Sequence, residues 1–216
     1  MVGNLMNRGR SQMFNFNVEQ ISKALSRSHS VYVDNLRDRN EILRQDCFIR
    51  GSLAEIWFKD FFESHGFQVY SNLKNGNTDI DLSINRVINI EVKTSLIPYE
   101  NFNIYEQGDL KIYVKSDEYS NDIDWHMGIQ VYYHQFKKKW EQNVPNSGSD
   151  LIVEYKKLNF SCSWIPKNAA IQYLNNPLTK EKTWKYGDKN YWHCPLKIHN
   201  HNIDESVTYI KSILSE

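Results

Sequence analysis

The sequence predicts an α/β protein, a central mixed sheet flanked by helices. Three observations carry that prediction. Residues 78–95 alternate apolar and polar with period two, as paired half-buried strands do. Residues 51–62 gather Ala54, Trp57, Phe58, Phe61 and Phe62 on one wide helical arc. Residues 125–135 return to period two, with Met127, Ile129, Val131 and Tyr133 on one face.

The bounds are those of a folded protein. A chain of 216 residues suits one large domain, or one with an appendage. The expected division is a helical segment, 1–46, packing on a body formed by 47–216. Basic and acidic residues both total 26, so any nucleic-acid contact must use local patches. Thirteen tyrosines and six tryptophans argue against disorder. Cys47, Cys162 and Cys194 are too sparse for a disulfide framework, which points to a reducing cytoplasm. No apolar run approaches the roughly 20 residues of a membrane span, and the first ten lack a signal-peptide core. The expectation is a cytoplasmic protein with no membrane contact.

The elements follow in order. Residues 1–15 are polar and are expected to fray. Asn17 caps a helix carrying Ile21, Ala24 and Leu25, and 26–30 reads as a turn. A second helix is expected from 31 or 34 to 46, with Arg37, Arg39 and Arg44 exposed. A third starts at Ser52, whose partner at the capping-box position is Glu55, and stops at Gly66. Residues 67–70 form a short strand and 74–77 a turn. Pro98 ends the strand that contains Glu91. Residues 99–123 read as a surface loop around a strand at 110–114. Strand 125–135 leads into Lys137, Lys138 and Lys139. Residues 151–155 and 158–165 read as strands, 168–174 as a helix, 177–189 as a polar loop and 204–214 as a final helix.

The chemistry concentrates in the hairpin. Asp79, Asp81, Glu91 and Lys93 share its polar face, and two strand residues span about 7 Å, close enough for Glu91 and Lys93 to meet. Crowded carboxylates repel, and a hard divalent cation neutralises them most cheaply. A lysine beside such a site orients water or steadies charge on a phosphodiester. The plainer reading is a wet face with ordinary cross-strand ion pairs. Because the apolar residues of both arms are even-numbered, the connection has odd length. A loop at 85–87 opposes Asp81 to Glu91, and a loop displaced by one residue opposes Asp79 to Glu91. Glu55, at the edge of its helical arc, looks toward this face, caps its helix or pairs with Lys59.

Asp79, a following strand, then Glu91, Val92 and Lys93 resemble the motif of the PD-(D/E)XK nuclease superfamily, whose core is restriction-endonuclease-like. Segment 51–95 matches that core's helix followed by strands, the second and third bearing an aspartate and a Glu-x-Lys. Glu55 stands where many members carry a glutamate on the first core helix. The resemblance implies a Mg²⁺-dependent deoxyribonuclease, with Mn²⁺ as substitute, acting as an endonuclease on DNA. By it, Asp79, Glu91 and Lys93 are catalytic. Glu55, Asp79, Glu91 and the Val92 carbonyl hold the metal. Thr78 departs from the family's proline, and Asp81 duplicates the acid, so either aspartate fills the role; the resemblance favours Asp79. Arg44, Arg50, Thr94, Ser95 and Lys137 to Lys139 are the candidate DNA contacts. Cleavage of both strands would need two sites, so a homodimer is an expectation without a supporting sequence feature. The alternative is a non-catalytic nucleic-acid-binding or assembly module on the same fold. Cys162, His193, Cys194, His199 and His201 lack zinc-site spacing. Tyr132, Tyr133 and Trp140 are candidates for stacking on bases, with sheet packing the plainer reading.

Overall fold

The protein is described by a computed structural model over residues 12–28, 40–71, 80–114, 125–146, 150–176, 178, 183–186 and 189–215. Strands β1 (Phe14–Asn15), β2 (Val69–Ser71), β3 (Leu82–Ile84), β4 (Ile88–Ile97), β6 (Met127–Phe136) and β7 (Asn159–Pro166) form one six-stranded sheet. Its order is β1-β7-β6-β4-β3-β2. β4 and β6 run parallel, and the other neighbours are antiparallel. Strands β5 (Asp109–Val114), β9 (Lys189–Pro195) and β8 (Thr183–Tyr186) form a second, antiparallel sheet. The chain is therefore a mixed α/β protein with helices against its main sheet.

Two helices cover that sheet. Helix α1 (Val18–Ser28) is capped reciprocally: the Gln20 amide donates to Asn17 Oδ1 at 2.8 Å, and the Asn17 amide to Gln20 Oε1 at 3.1 Å. It runs three residues, 26–28, into the segment expected to turn. Helix α2 (Glu41–Ser64) is one continuous element of 24 residues, capped by Asn40, which accepts from the Leu43 amide at 2.9 Å. The two helices expected around 46 and 52 are thus one, and the division expected at 46 falls inside it. Ser52 is not a cap but a buried helical residue. Gly51 weakens a helix by about 1 kcal/mol, less than the burial of Ile49, Leu53 and Ile56 on either side returns.

The end of α2 matches expectation. Gly66 has φ +89°; its amide bonds to the Glu63 carbonyl at 3.0 Å and the Phe67 amide to the Phe62 carbonyl at 3.3 Å. The Phe62 and Phe67 rings close the motif edge to face. Gly66→Ala is expected to lower stability by about 1 kcal/mol, the cost of a side chain at positive φ. A denaturation midpoint equal to wild type would contradict this.

The main core lies between α1, α2 and the even-numbered face of β4. It holds Ile21, Leu53, Phe58, Phe62, Ile90, Val92, Ile129, Val131 and Phe160. Phe14 of β1 joins it, as does Phe16 just beyond, so 14–15 are anchored where fraying was expected. The opposite face meets the second sheet. A Cβ on Gly128 would stand 2.7 Å from Leu110 Cδ2, so glycine lets the two sheets approach.

Four further elements complete the fold: α3 (Ile104–Gln107), α5 (Leu151–Lys156), α6 (Lys167–Asn175) and α7 (Asp204–Leu214). A fifth, α4 (Lys137–Gln142), turns the lysine run into a helix. Residues 151–155 are helical rather than extended, because Asp150 Oδ1 accepts the Val153 amide at 3.2 Å and Tyr155 turns into the core. Part of the loop expected at 177–189 is the β8–β9 hairpin.

One buried polar network ties α2 to the rest. Arg50 Nε donates to Asp46 Oδ2 at 2.9 Å; Trp140 Nε1 and Tyr155 Oη donate to Asp46 Oδ1 at 3.0 and 3.1 Å. The Tyr133 hydroxyl donates to the Arg50 carbonyl. Arg50 is 4% exposed. It is spent on this network and does not face solvent as a DNA contact, because an unpaired buried guanidinium or carboxylate is too costly. Tyr132, Tyr133 and Trp140 are likewise unavailable to bases, the tyrosines being buried and Trp140 half-buried against the core.

Candidate active site

The hairpin is built on the odd-length loop. Leu82 pairs with Ile90, Ser83 with Asn89 and Ile84 with Ile88, leaving Asn85, Arg86 and Val87 as the turn. Asn85 and Arg86 adopt positive φ, 51° and 61°, and Asn85 is held to Gln68 through both its amide and its side chain. Continued by one residue, this register sets Asp81 across from Glu91. Asp79 lies outside the described residues, as do Thr78, Arg37 and Arg39.

Asp81 sits at the head of the group. Its Oδ2 accepts the Val92 amide at 2.7 Å and lies 4.0 Å from Lys93 Nζ. Lys93 forms an ion pair with Glu91 on its own strand. Burial works against the Lys93 charge, but Asp81, Glu91 and Glu55 outweigh it and hold the ammonium above its usual range.

Glu55 approaches from α2. It is 8% exposed, and its Oε2 is buried with no hydrogen-bond partner among the described residues. Neither plain role expected for it survives, since Asn40 caps the helix and Lys59 pairs with Glu63. Burial, with the like charge of Asp81 and a lesser one from Glu91, pushes the Glu55 carboxyl well above its ordinary value; Arg27 and Lys93 oppose this. Three acids from α2, the entry to β3 and β4 thus share one lysine.

That arrangement predicts a pH dependence. A carboxyl with a raised folded pKa favours the native state while protonated. Its contribution is lost as pH rises above the ordinary value of 4.5. Glu55→Gln is therefore expected to melt a few degrees above wild type at pH 8 and to flatten the wild-type fall. Added Mg²⁺ should raise the melting temperature of wild type and not of Glu55→Gln. A parallel fall in both proteins would remove Glu55 from this role.

The residues fit a hard cation in chemistry. An orphaned buried carboxylate oxygen beside two further carboxylates is an oxygen donor set, and Mg²⁺ needs only one or two of them. Among the described residues, no three His, Cys, Asp or Glu side chains already stand as a ready metal group. The Lys93 ammonium instead neutralises Glu91.

The other candidates divide. Ser95 shares the face of Lys93 and accepts from Gln130 Nε2 at 3.2 Å. Thr94 alternates onto the face of Val92 and Leu96. Arg44 is half-buried on α2, and Lys137, Lys138 and Lys139 are exposed on α4. Cys162 lies in β7 and Cys194 in β9, on different sheets. His199 is buried against Ser163 at 3.1 Å; burial, with His201 beside it, pushes it down to about 3. Gln130 is the residue that sequence reasoning missed. It is 2% exposed and pairs in register with Lys93 across the parallel β4–β6 ladder. Only its face was legible, because nothing in a sequence says which distant strand pairs in parallel.

No family model matches the chain, nor does any curated protein or solved structure. Among the described residues no helix is long and apolar enough to cross a membrane.

Proposed function

We propose that this chain is a Mg²⁺-dependent deoxyribonuclease with a restriction-endonuclease-like core. The observation that carries the reading is the buried Glu55 carboxylate on α2, one oxygen of which has no hydrogen-bond partner among the described residues and on which the charges of Asp81, Lys93 and Glu91 act. A wet surface hairpin has no reason to bury an unsatisfied acid from a neighbouring helix, which costs about 1–3 kcal/mol. The order helix, strand, hairpin supports the same reading.

A divalent cation at this site supplies charge neutralisation on the scissile phosphodiester and a more acidic water. Asp81, Glu91 and Glu55 would hold it. Asp81 is fixed for that by the Val92 amide, which leaves its other oxygen free to turn outward. Lys93 would leave Glu91 for the incoming phosphate or the attacking water, since its four-carbon stem lets the ammonium move. Its side chain is 37% exposed, so its charge acts in a partly dry site.

A non-catalytic binding module has one observation in its favour, the absence of a ready metal group among the described residues. Nicking of supercoiled plasmid in Mg²⁺, stopped by EDTA, separates the two. A chain that binds DNA or RNA and nicks neither over a range of Mg²⁺ and Mn²⁺ is the module.

A further inference from the structure

We infer that the aromatic cavity at the far end of β4 and β6 takes one unstacked nucleobase of the substrate strand. The cavity has a volume of about 350 Å³ and is lined by Ile97, Asn101, Phe102, Tyr105, His134 and Phe136, among others. That volume lies at the small end of ligand clefts, which run from roughly 300 to 1,000 Å³. It suits one nucleotide better than a large cofactor.

Its walls are flat and held in place. Phe102 packs edge-on against Tyr99 with ring centres 5.3 Å apart, and at a tilt against Tyr132 at 5.8 Å. The Tyr105 ring meets His201 at 4.7 Å. Phe136 keeps 40% of its surface exposed, which leaves its ring open to a ligand in the cavity. Aromatic faces stack on any base. The amide of Asn101, exposed at the rim, has the paired donor and acceptor that a base edge requires. Asn101 adopts φ 63°, the left-handed region that asparagine tolerates best after glycine. His134 adds a ring whose Nε2 meets Ser161 Oγ at 3.0 Å.

The surroundings supply the rest of a nucleotide. Lys137, Lys138 and Lys139 begin one residue after Phe136 and are exposed for the backbone phosphates. Ile97 lies four residues beyond Lys93 on β4, about 13 Å away. A strand crossing Lys93 would reach the cavity within a few nucleotides. A base in a duplex is stacked on both sides, so only an unpaired or extruded base can enter. The inference therefore rests on the nuclease reading for the path of the strand, and it names the substrate class: DNA with single-stranded character near the cut.

The test measures binding in EDTA, where nothing is cleaved. A single-stranded oligonucleotide carrying 2-aminopurine should bind with quenched fluorescence, and the matched duplex should bind at least about tenfold more weakly. Phe136→Ala should lose about tenfold in affinity and most of the quenching. Asn101→Gly keeps the backbone conformation and removes only the amide; it should weaken binding at unchanged melting temperature. Lys137→Gln with Lys138→Gln should flatten the salt dependence and leave quenching at saturation intact. Wild-type behaviour of Phe136→Ala overturns the inference, as does equal binding of the duplex. Quenching of 2-aminopurine riboside monophosphate but not of the strand overturns it too, since the cavity would then serve a free nucleotide. Plasmid nicking in Mg²⁺ is read separately. A chain that nicks without Phe136-dependent quenching loses the cavity alone; one that quenches without nicking keeps the cavity and loses the nuclease.

Discussion

Lys93→Ala should nick supercoiled plasmid at least about a hundredfold more slowly than wild type, the usual cost of removing one charge aimed at a developing oxyanion. The expected effect is large because Lys93 is the cation through which three acids are balanced. Asp81 stands 4.0 Å from its Nζ, Glu91 is ion-paired to it, and Glu55 feels its charge. No compensating lysine is available on the same face of β4, where the neighbouring residues are Glu91 and Ser95. The fold should persist, since more than a third of the Lys93 side chain is exposed and such pairs contribute little to stability. Lys93→Ala should melt within a few degrees of wild type. Arginine is not expected to rescue it, because its planar fork cannot occupy the place of a compact ammonium. Wild-type nicking by Lys93→Ala would sink the proposed mechanism. The aspartates can be ranked in the same assay: Asp81→Ala should fall as far as Lys93→Ala, because Asp81 is the acid in register with Glu91. If only Asp79→Ala fell, the metal aspartate would be the one outside the described residues.

The second large effect concerns stability. Asp46→Ala is expected to cost about 3–5 kcal/mol, the range for removing one partner of a buried ion pair. Asp46 is 1% exposed and accepts from Arg50, Trp140 and Tyr155, residues of α2, α4 and α5. Its removal strands a buried guanidinium and two ring donors together. Asp46→Asn should cost less, since an amide oxygen still accepts one donor. The urea midpoint, compared at constant slope, reads the loss. A change under about 1 kcal/mol in Asp46→Ala would mean that water replaces the carboxylate. This network also explains why a basic residue in a promising position was no guide to DNA contact. Arg50 and Lys137 are equally basic in the sequence; one is buried against an acid and the other stands on an exposed helix.

The parts legible in the sequence were those governed by neighbours along the chain. Asn17 and Gly66 bound their helices because caps act over three or four residues. The alternation in 78–95 gave the strands, and the parity of its apolar residues gave a loop of odd length; which of two such loops forms, and so that Asp81 rather than Asp79 stands across from Glu91, was decided by the strand pairing in the folded sheet. What was misread was local signal overruled by packing. Gly51 and Ser52 look like a helix start, yet α2 passes through them because the residues on both sides are buried against the same sheet. Residues 151–155 look extended and are helical, a common ambiguity of short apolar runs that Asp150 resolves. The hairpin 183–195 gave no alternation strong enough to read.

By itself, then, the sequence determined the hairpin, its polar face and the identity of the acids and lysine on it, because strand geometry fixes which residues share a side. Tertiary structure alone decided that Glu55 is buried unsatisfied beside them, that Gln130 lies next to Lys93, and that Arg50 turns inward. Each of those depends on contacts between segments far apart in the chain, and no local periodicity encodes which of them meet.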